Sequence, residues 1–187
     1  MLKKFLPNLF TFFAYLFTAM VLGFTIYYFF LMPNITALNN KNVPQNLSAE
    51  ALFTANLPNE NGVSQALDQY KGKIIVLNFW ATWCSPCREE MPELSALNTE
   101  LASKNVIVLG IAIDELELVK EFATQTPVSY PLFVAEEEGM TIGNSLGNDK
   151  GVLPYTVIID DKGNVVNTYF GRITKALLTT ALMPLLK

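Results

Sequence analysis

Hydrophobic and polar positions divide this chain into two regimes. Residues 9–32 form a run of 24 without a single charge. As a helix rising about 1.5 Å per residue, such a run reaches roughly 36 Å, enough to cross a hydrocarbon layer of about 30 Å with some tilt. Beyond residue 50 the pattern breaks into short segments between turn signals. Leu52–Leu57 reads as a short strand, stopped by the cluster Pro58-Asn59-Glu60-Asn61-Gly62, and Gln65–Tyr70 as a helical turn. Ile74–Phe79 and Val106–Ile113 are nearly continuous apolar runs, which suits strands covered on both faces. Pro86–Leu101 carries Met91, Leu94, Leu97 and Leu101 at spacings of three and four, the stripe of an amphipathic helix, with Pro92 expected to kink it. Glu115–Gln125 predicts a helix, Pro131–Val134 a short strand and Glu138–Leu146 a weak helix. Val157–Ile159 and Val165–Phe170 predict strands joined through Asp160–Asn164 as a hairpin, and Thr174–Leu186 a closing helix. The predicted order, β-β-α-β-α-β-α-β-β-α, implies an α/β domain with a mixed sheet flanked by helices.

The uncharged run is preceded by Lys3 and Lys4, and no charge follows it until Lys41. The positive-inside rule then leaves residues 1–8 in the cytoplasm, makes 9–32 a transmembrane anchor and puts the rest outside. A cleaved signal peptide is the rival. Its apolar region is usually only about 7–15 residues, and Met32–Ala37 offers no small-residue cleavage site. Residues 33–49 are rich in Asn and read as a tether, leaving 50–187 as the working domain. Asn34-Ile35-Thr36 and Asn46-Leu47-Ser48 match the glycosylation sequon, which matters only in a eukaryotic host.

Composition narrows the chemistry. Charged residues make up 16% of the chain, with a net charge of −4, so there is no clustered basic footprint and no nucleic-acid partner is expected. The absence of histidine removes Cys-His and Ser-His nucleophiles and His-ligated metals. The 2 cysteines, Cys84 and Cys87, can pair only with each other within the chain.

The strand Ile74–Phe79 leads through Trp80-Ala81-Thr82-Trp83 to Cys84-Ser85-Pro86-Cys87, where a helix begins. Unpaired N–H groups and the macrodipole at a helix start favour a thiolate at Cys84, and Cys87 lies one turn further in. Three other readings compete. A zinc site needs further Cys or His ligands, and haem attachment needs His where Arg88 stands. A fixed structural bridge across two residues would constrain little chain entropy. Pro154 stands at the entrance to a strand, where prolines are either cis turn devices or ordinary strand starters.

The segment LNFWATWCSPCREEMPEL, with Trp80, Trp83-Cys84, Pro92 and the later Pro154, resembles the thioredoxin superfamily and, within it, the membrane-tethered TlpA/ResA-like group. The resemblance covers roughly residues 50–187, and the βα stretch between Val106 and Leu146 is similar to that group's insertion. It implies a thioredoxin-like fold, Cys84 as the attacking thiol and Cys87 as the resolving thiol. It also implies a cis Pro154 beside the disulfide, with Trp83, Leu153 and Pro154 receiving substrate. A carboxylate three residues after the second cysteine, here Glu90, is expected to relay a proton to Cys87, unless it is an ordinary solvated helix residue. Asn78 departs from cytosolic thioredoxins, which carry an aspartate there.

The function expected is a thiol:disulfide oxidoreductase that reduces extracytoplasmic protein disulfides, for example in cytochrome c maturation. Its expected donor is a membrane thiol-transfer protein, its location the periplasmic side of a bacterial inner membrane. The alternatives are a disulfide oxidant or isomerase, and a membrane-held binding module without turnover. No cofactor is expected, because the dithiol itself carries two electrons.

Overall fold

The computed structural model describes residues 6–26 and 47–186. They fall into two units, one within Met1–Asn42 and the other within Val43–Lys187.

The first unit contains a single described helix, α1 (Leu6–Ile26). Nothing along it is charged, and from residue 11 to its end every side chain is exposed, Phe12, Phe13, Phe17 and Met20 among them. No helix among the described residues is long and apolar enough to cross a membrane. The transmembrane span expected over 9–32 runs past them, since 27–32 lie outside the described residues, as do residues 33–46 of the tether expected over 33–49.

The second unit opens with α2 (Glu50–Thr54), β1 (Asn56–Pro58) and β2 (Ser64–Ala66), followed by a 3-10 turn, Leu67–Tyr70. Two expectations change here. Leu52–Leu57 is not one strand, because α2 occupies its first half and buries Leu52 and Phe53 side by side. Gln65–Tyr70 is not wholly helical, because Gln65 pairs with Leu57 in a small antiparallel hairpin. Apolar residues in a short run fit either element, and tertiary burial decides.

The remainder is β3 (Ile74–Trp80), α3 (Ser85–Leu101), β4 (Val106–Ala112), α4 (Leu116–Gln125), β5 (Leu132–Val134), α5 (Glu136–Ser145), β6 (Tyr155–Ile159), β7 (Val165–Phe170) and α6 (Lys175–Leu182). The main sheet has the order β5-β4-β3-β6-β7, with β3, β4 and β5 parallel and β6 and β7 antiparallel to their neighbours. β3 is the central strand and is buried along its whole length.

Alternation along β3 builds two cores. Ile74, Val76 and Trp80 face one cluster with Met91, Leu94 and Leu97 of α3 and Leu178 of α6. Ile75, Leu77 and Phe79 face a second cluster with Leu52, Ile142 and Leu146. The stripe read from sequence is therefore the face of α3 that seats it on the sheet. Pro92 lies within α3, and the helix continues past it to Leu101. The connection to β4 turns at Asn105, in the left-handed region with φ 59°, a conformation asparagine tolerates. The predicted hairpin forms: Asp160 accepts the backbone N–H groups of Lys162 (2.9 Å) and Asn164 (2.8 Å).

Candidate active site

β3 delivers the chain to a turn at Ala81–Cys84, closed by the Cys84 N–H donating to the Ala81 carbonyl at 3.2 Å. Cys84 is the N-cap of α3, and its Sγ accepts the Cys87 N–H at 3.3 Å. Pro86 occupies the first helical turn, where its missing N–H leaves no donor unpaired. Cys84 and Cys87 are joined by a disulfide with their Cα atoms 5.3 Å apart. Cys87 is fully buried, Cys84 is 5% exposed and Trp83 beside it is 69% exposed. When the bridge is reduced, the N–H and helix dipole that meet Cys84 favour its thiolate.

Glu90 lies one turn beyond Cys87 on α3, and helical spacing puts the two side chains on the same face. It is a buried carboxyl, not a solvated helix residue. Its Oε1 accepts from Asn78 Nδ2 at 2.7 Å and its Oε2 from the Ile173 N–H at 2.8 Å. Burial pushes its pKa from an ordinary 4.5 up to about 7, against the lowering effect of those two bonds and of the Arg172 guanidinium. Its protonation therefore changes near neutral pH. Asn78 also donates to Thr156 Oγ1 at 3.1 Å. The position of the cytosolic aspartate thus holds a neutral amide that supports a carboxylate on the adjacent helix. Tyr130 is buried on the same side of the sheet; its hydroxyl is held neutral by burial and secondarily by the Glu90 charge.

The Leu153–Pro154 peptide bond is cis. Phe79 of β3 pairs with Tyr155 of β6, so this bond lies at the sheet end where β3 turns toward Cys84. Pro154 is buried, and its carbonyl accepts the Gly171 N–H at 2.9 Å. The fold therefore carries Trp83, Cys84, Cys87, Glu90, Leu153 and Pro154 at or near one end of the sheet. Sequence reasoning missed Thr156 and the Ile173 N–H as partners of this network. Thr156 is set opposite Asn78 by the β3–β6 register, which has no local signal. Ile173 acts through its backbone, which no side-chain motif reports.

A thioredoxin-like sheet with a helix-capping Cys-x-x-C pair and a cis proline at the same end defines a class of disulfide-bearing α/β proteins. The chain belongs to the AhpC/TSA family, whose pattern matches residues 49–168. It is similar to the thiol-disulfide oxidoreductase ResA of Bacillus thuringiensis (strain Al Hakam), with 38% identity over 110 residues, covering 58% of this chain and 61% of that one. It therefore spans about three fifths of that relative. Similarity to ResA of Geobacillus thermodenitrificans (strain NG80-2) is 30% over 155 residues and covers 82% of both chains. Among solved structures, a thiol:disulfide interchange protein of the thioredoxin family from Chlorobium tepidum TLS superposes with a TM-score of 0.61 at 28% identity. The match covers 72% of this chain and 97% of that one.

Proposed function

We propose that this chain is a thiol:disulfide oxidoreductase that reduces protein disulfides outside the cytoplasm. The observation that carries the reading is the Cys84–Cys87 pair capping α3, with a buried carboxyl one turn behind it. In the reduced protein the Cys84 thiolate attacks one sulfur of a substrate disulfide. A mixed disulfide forms, and the first substrate sulfur leaves as a thiolate and takes up a proton. Cys87 gives its proton to the Glu90 carboxylate and attacks Cys84 Sγ; the second substrate sulfur leaves as a thiolate and takes up a proton from water, and Glu90 returns its proton to water. Two electrons have moved from the dithiol to the substrate, and the Cys84–Cys87 bridge remains. No organic cofactor enters this scheme. Leu153 and Pro154 receive the substrate chain, with Trp83 exposed beside them.

Residues 9–32 act as a membrane anchor in this reading. The support is the uncharged run itself and the exposed apolar side chains of α1. The domain then works on the periplasmic side of a bacterial inner membrane, draws electrons from a membrane thiol-transfer protein, and serves tasks such as cytochrome c maturation. Resemblance to the TlpA/ResA-like group supports this assignment.

The test is the reduction potential of the full-length protein in defined thiol–disulfide buffers, with turnover on a protein disulfide. A potential near or below about −250 mV, with turnover, is expected; one near −120 mV would reverse the proposed electron flow.

A further inference from the structure

The turn that carries Trp83 and Cys84 is braced from the neighbouring strand. Parallel pairing of β3 and β4 continues one rung past their ends, with the Ile113 N–H donating to the Trp80 carbonyl at 2.8 Å. The next residue, Asp114, is only 9% exposed. Its Oδ2 accepts both donors of Thr82, the backbone N–H at 2.9 Å and the hydroxyl at 2.5 Å. Its Oδ1 accepts the Glu115 N–H at 3.0 Å. Thr82 is the first inner residue of the Ala81–Cys84 turn. Hydrogen bonds to an ionised acceptor are about twice as strong as neutral ones, and two converging on one residue fix it in place.

We propose that Asp114 is a positioning residue for Cys84: through Thr82 it holds the turn so that Cys84 Sγ stays against the N-terminal N–H groups of α3, and so sets the reactivity of the attacking thiol. This rests on reading Cys84–Cys87 as the redox pair. Asp114 bonds Thr82 and Glu115, so its influence on Cys84 passes through Thr82. Two physical effects of the carboxylate oppose each other here. As a brace it favours the Cys84 thiolate by alignment. As a nearby negative charge it disfavours that thiolate. Removal therefore has opposite signs under the two readings.

The experiment measures alkylation of Cys84 with iodoacetamide against pH in the reduced full-length protein, alongside the reduction potential. Asp114→Ala should raise the midpoint of the alkylation profile by about one pH unit, which slows alkylation about tenfold at a pH below both midpoints. Thr82→Val, which removes only the hydroxyl, should slow it about threefold, half of that effect on a logarithmic scale. Thr82→Ser, which keeps both donors, should restore the wild-type profile. Faster alkylation in Asp114→Ala would mean that the charge alone matters and would overturn the proposal. An unchanged pH profile and potential with a lowered Tm would reduce Asp114 to a structural cap and also overturn it. If Asp114→Ala does not fold, the Thr82→Val and Thr82→Ser pair decides. Alkylation needs no substrate, so a wild type that fails to reduce protein disulfides would defeat the functional reading and leave this comparison intact.

Discussion

Glu90→Gln isolates the energetic consequence of burying a carboxyl beneath the cysteine pair. The rise of the Glu90 pKa from 4.5 to about 7 is equivalent to roughly 3 kcal/mol between its protonation states. Because the folded value is raised, the folded chain binds more protons than the unfolded chain across that interval. Stability therefore falls as pH rises from about 4.5 to 7, and above that the penalty is constant. Integration gives a loss of roughly 2.5 kcal/mol between pH 5 and pH 8. The chain has no histidine to titrate in this window. Asp160 and Glu100 are both held below the usual carboxylate range, by hydrogen bonds for Asp160 and by Lys175 for Glu100, so their contributions are lost only at lower pH. Guanidinium unfolding of the oxidised full-length protein reads the effect. With a slope of about 4 kcal/mol/M, the wild-type midpoint should lie about 0.6 M lower at pH 8 than at pH 5. In Glu90→Gln the two midpoints should nearly coincide, since the amide does not titrate. Equal pH dependence in the two proteins would refute the reasoning, because the slope would then come from groups other than Glu90.

The other expectations concern the same network and its support. Cys87→Ser should accumulate a covalent mixed disulfide with substrate, visible on a non-reducing gel, whereas Cys84→Ser should form none. Asn78→Ala removes the 2.7 Å bond that stabilises the Glu90 carboxylate, so the Glu90 titration midpoint, followed by infrared spectroscopy, should rise by about one pH unit. Leu94→Ala empties a fully buried site between α3 and the sheet and should lower stability by about 2–5 kcal/mol in denaturant unfolding. Arg172→Ala breaks ion pairs to Glu89 (3.2 Å) and Glu93 (3.7 Å), but the groups are largely exposed, so stability should change by less than about 1 kcal/mol.

The chemistry of this chain is more legible in its sequence than its connections are. Cys84, Pro86 and Cys87 announce a capped helix start, because capping and dipole effects act within a few residues. The stripe Met91, Leu94, Leu97 and Leu101 announces the buried face of α3 for the same local reason. The hairpin at Asp160–Asn164 was readable from its turn residues. Glu90 is singled out only by the family resemblance, and its burial is not legible at all, since that depends on Asn78, Ile173 and the packing of α6 on α3, all distant in the chain. Thr156 meets Asn78 only because β3 and β6 align in one register, 78 residues apart. Leu52–Leu57 misled because a short apolar run suits a strand and a buried helical turn equally well.

The Cys84 turn and the Glu90 carboxyl are supported from opposite sides of β3. The turn that carries Cys84 is bonded to Asp114 just past the interior strand β4, while the Glu90 carboxyl takes an N–H from the loop that follows the edge strand β7. Edge strands are the first parts of a sheet to open, and β3, buried along its length, is among the last. Fraying of the edge strand β7 therefore reaches the Ile173 N–H bond of Glu90 directly, whereas fraying of β5 leaves β4 and the Asp114 brace beyond it paired to β3.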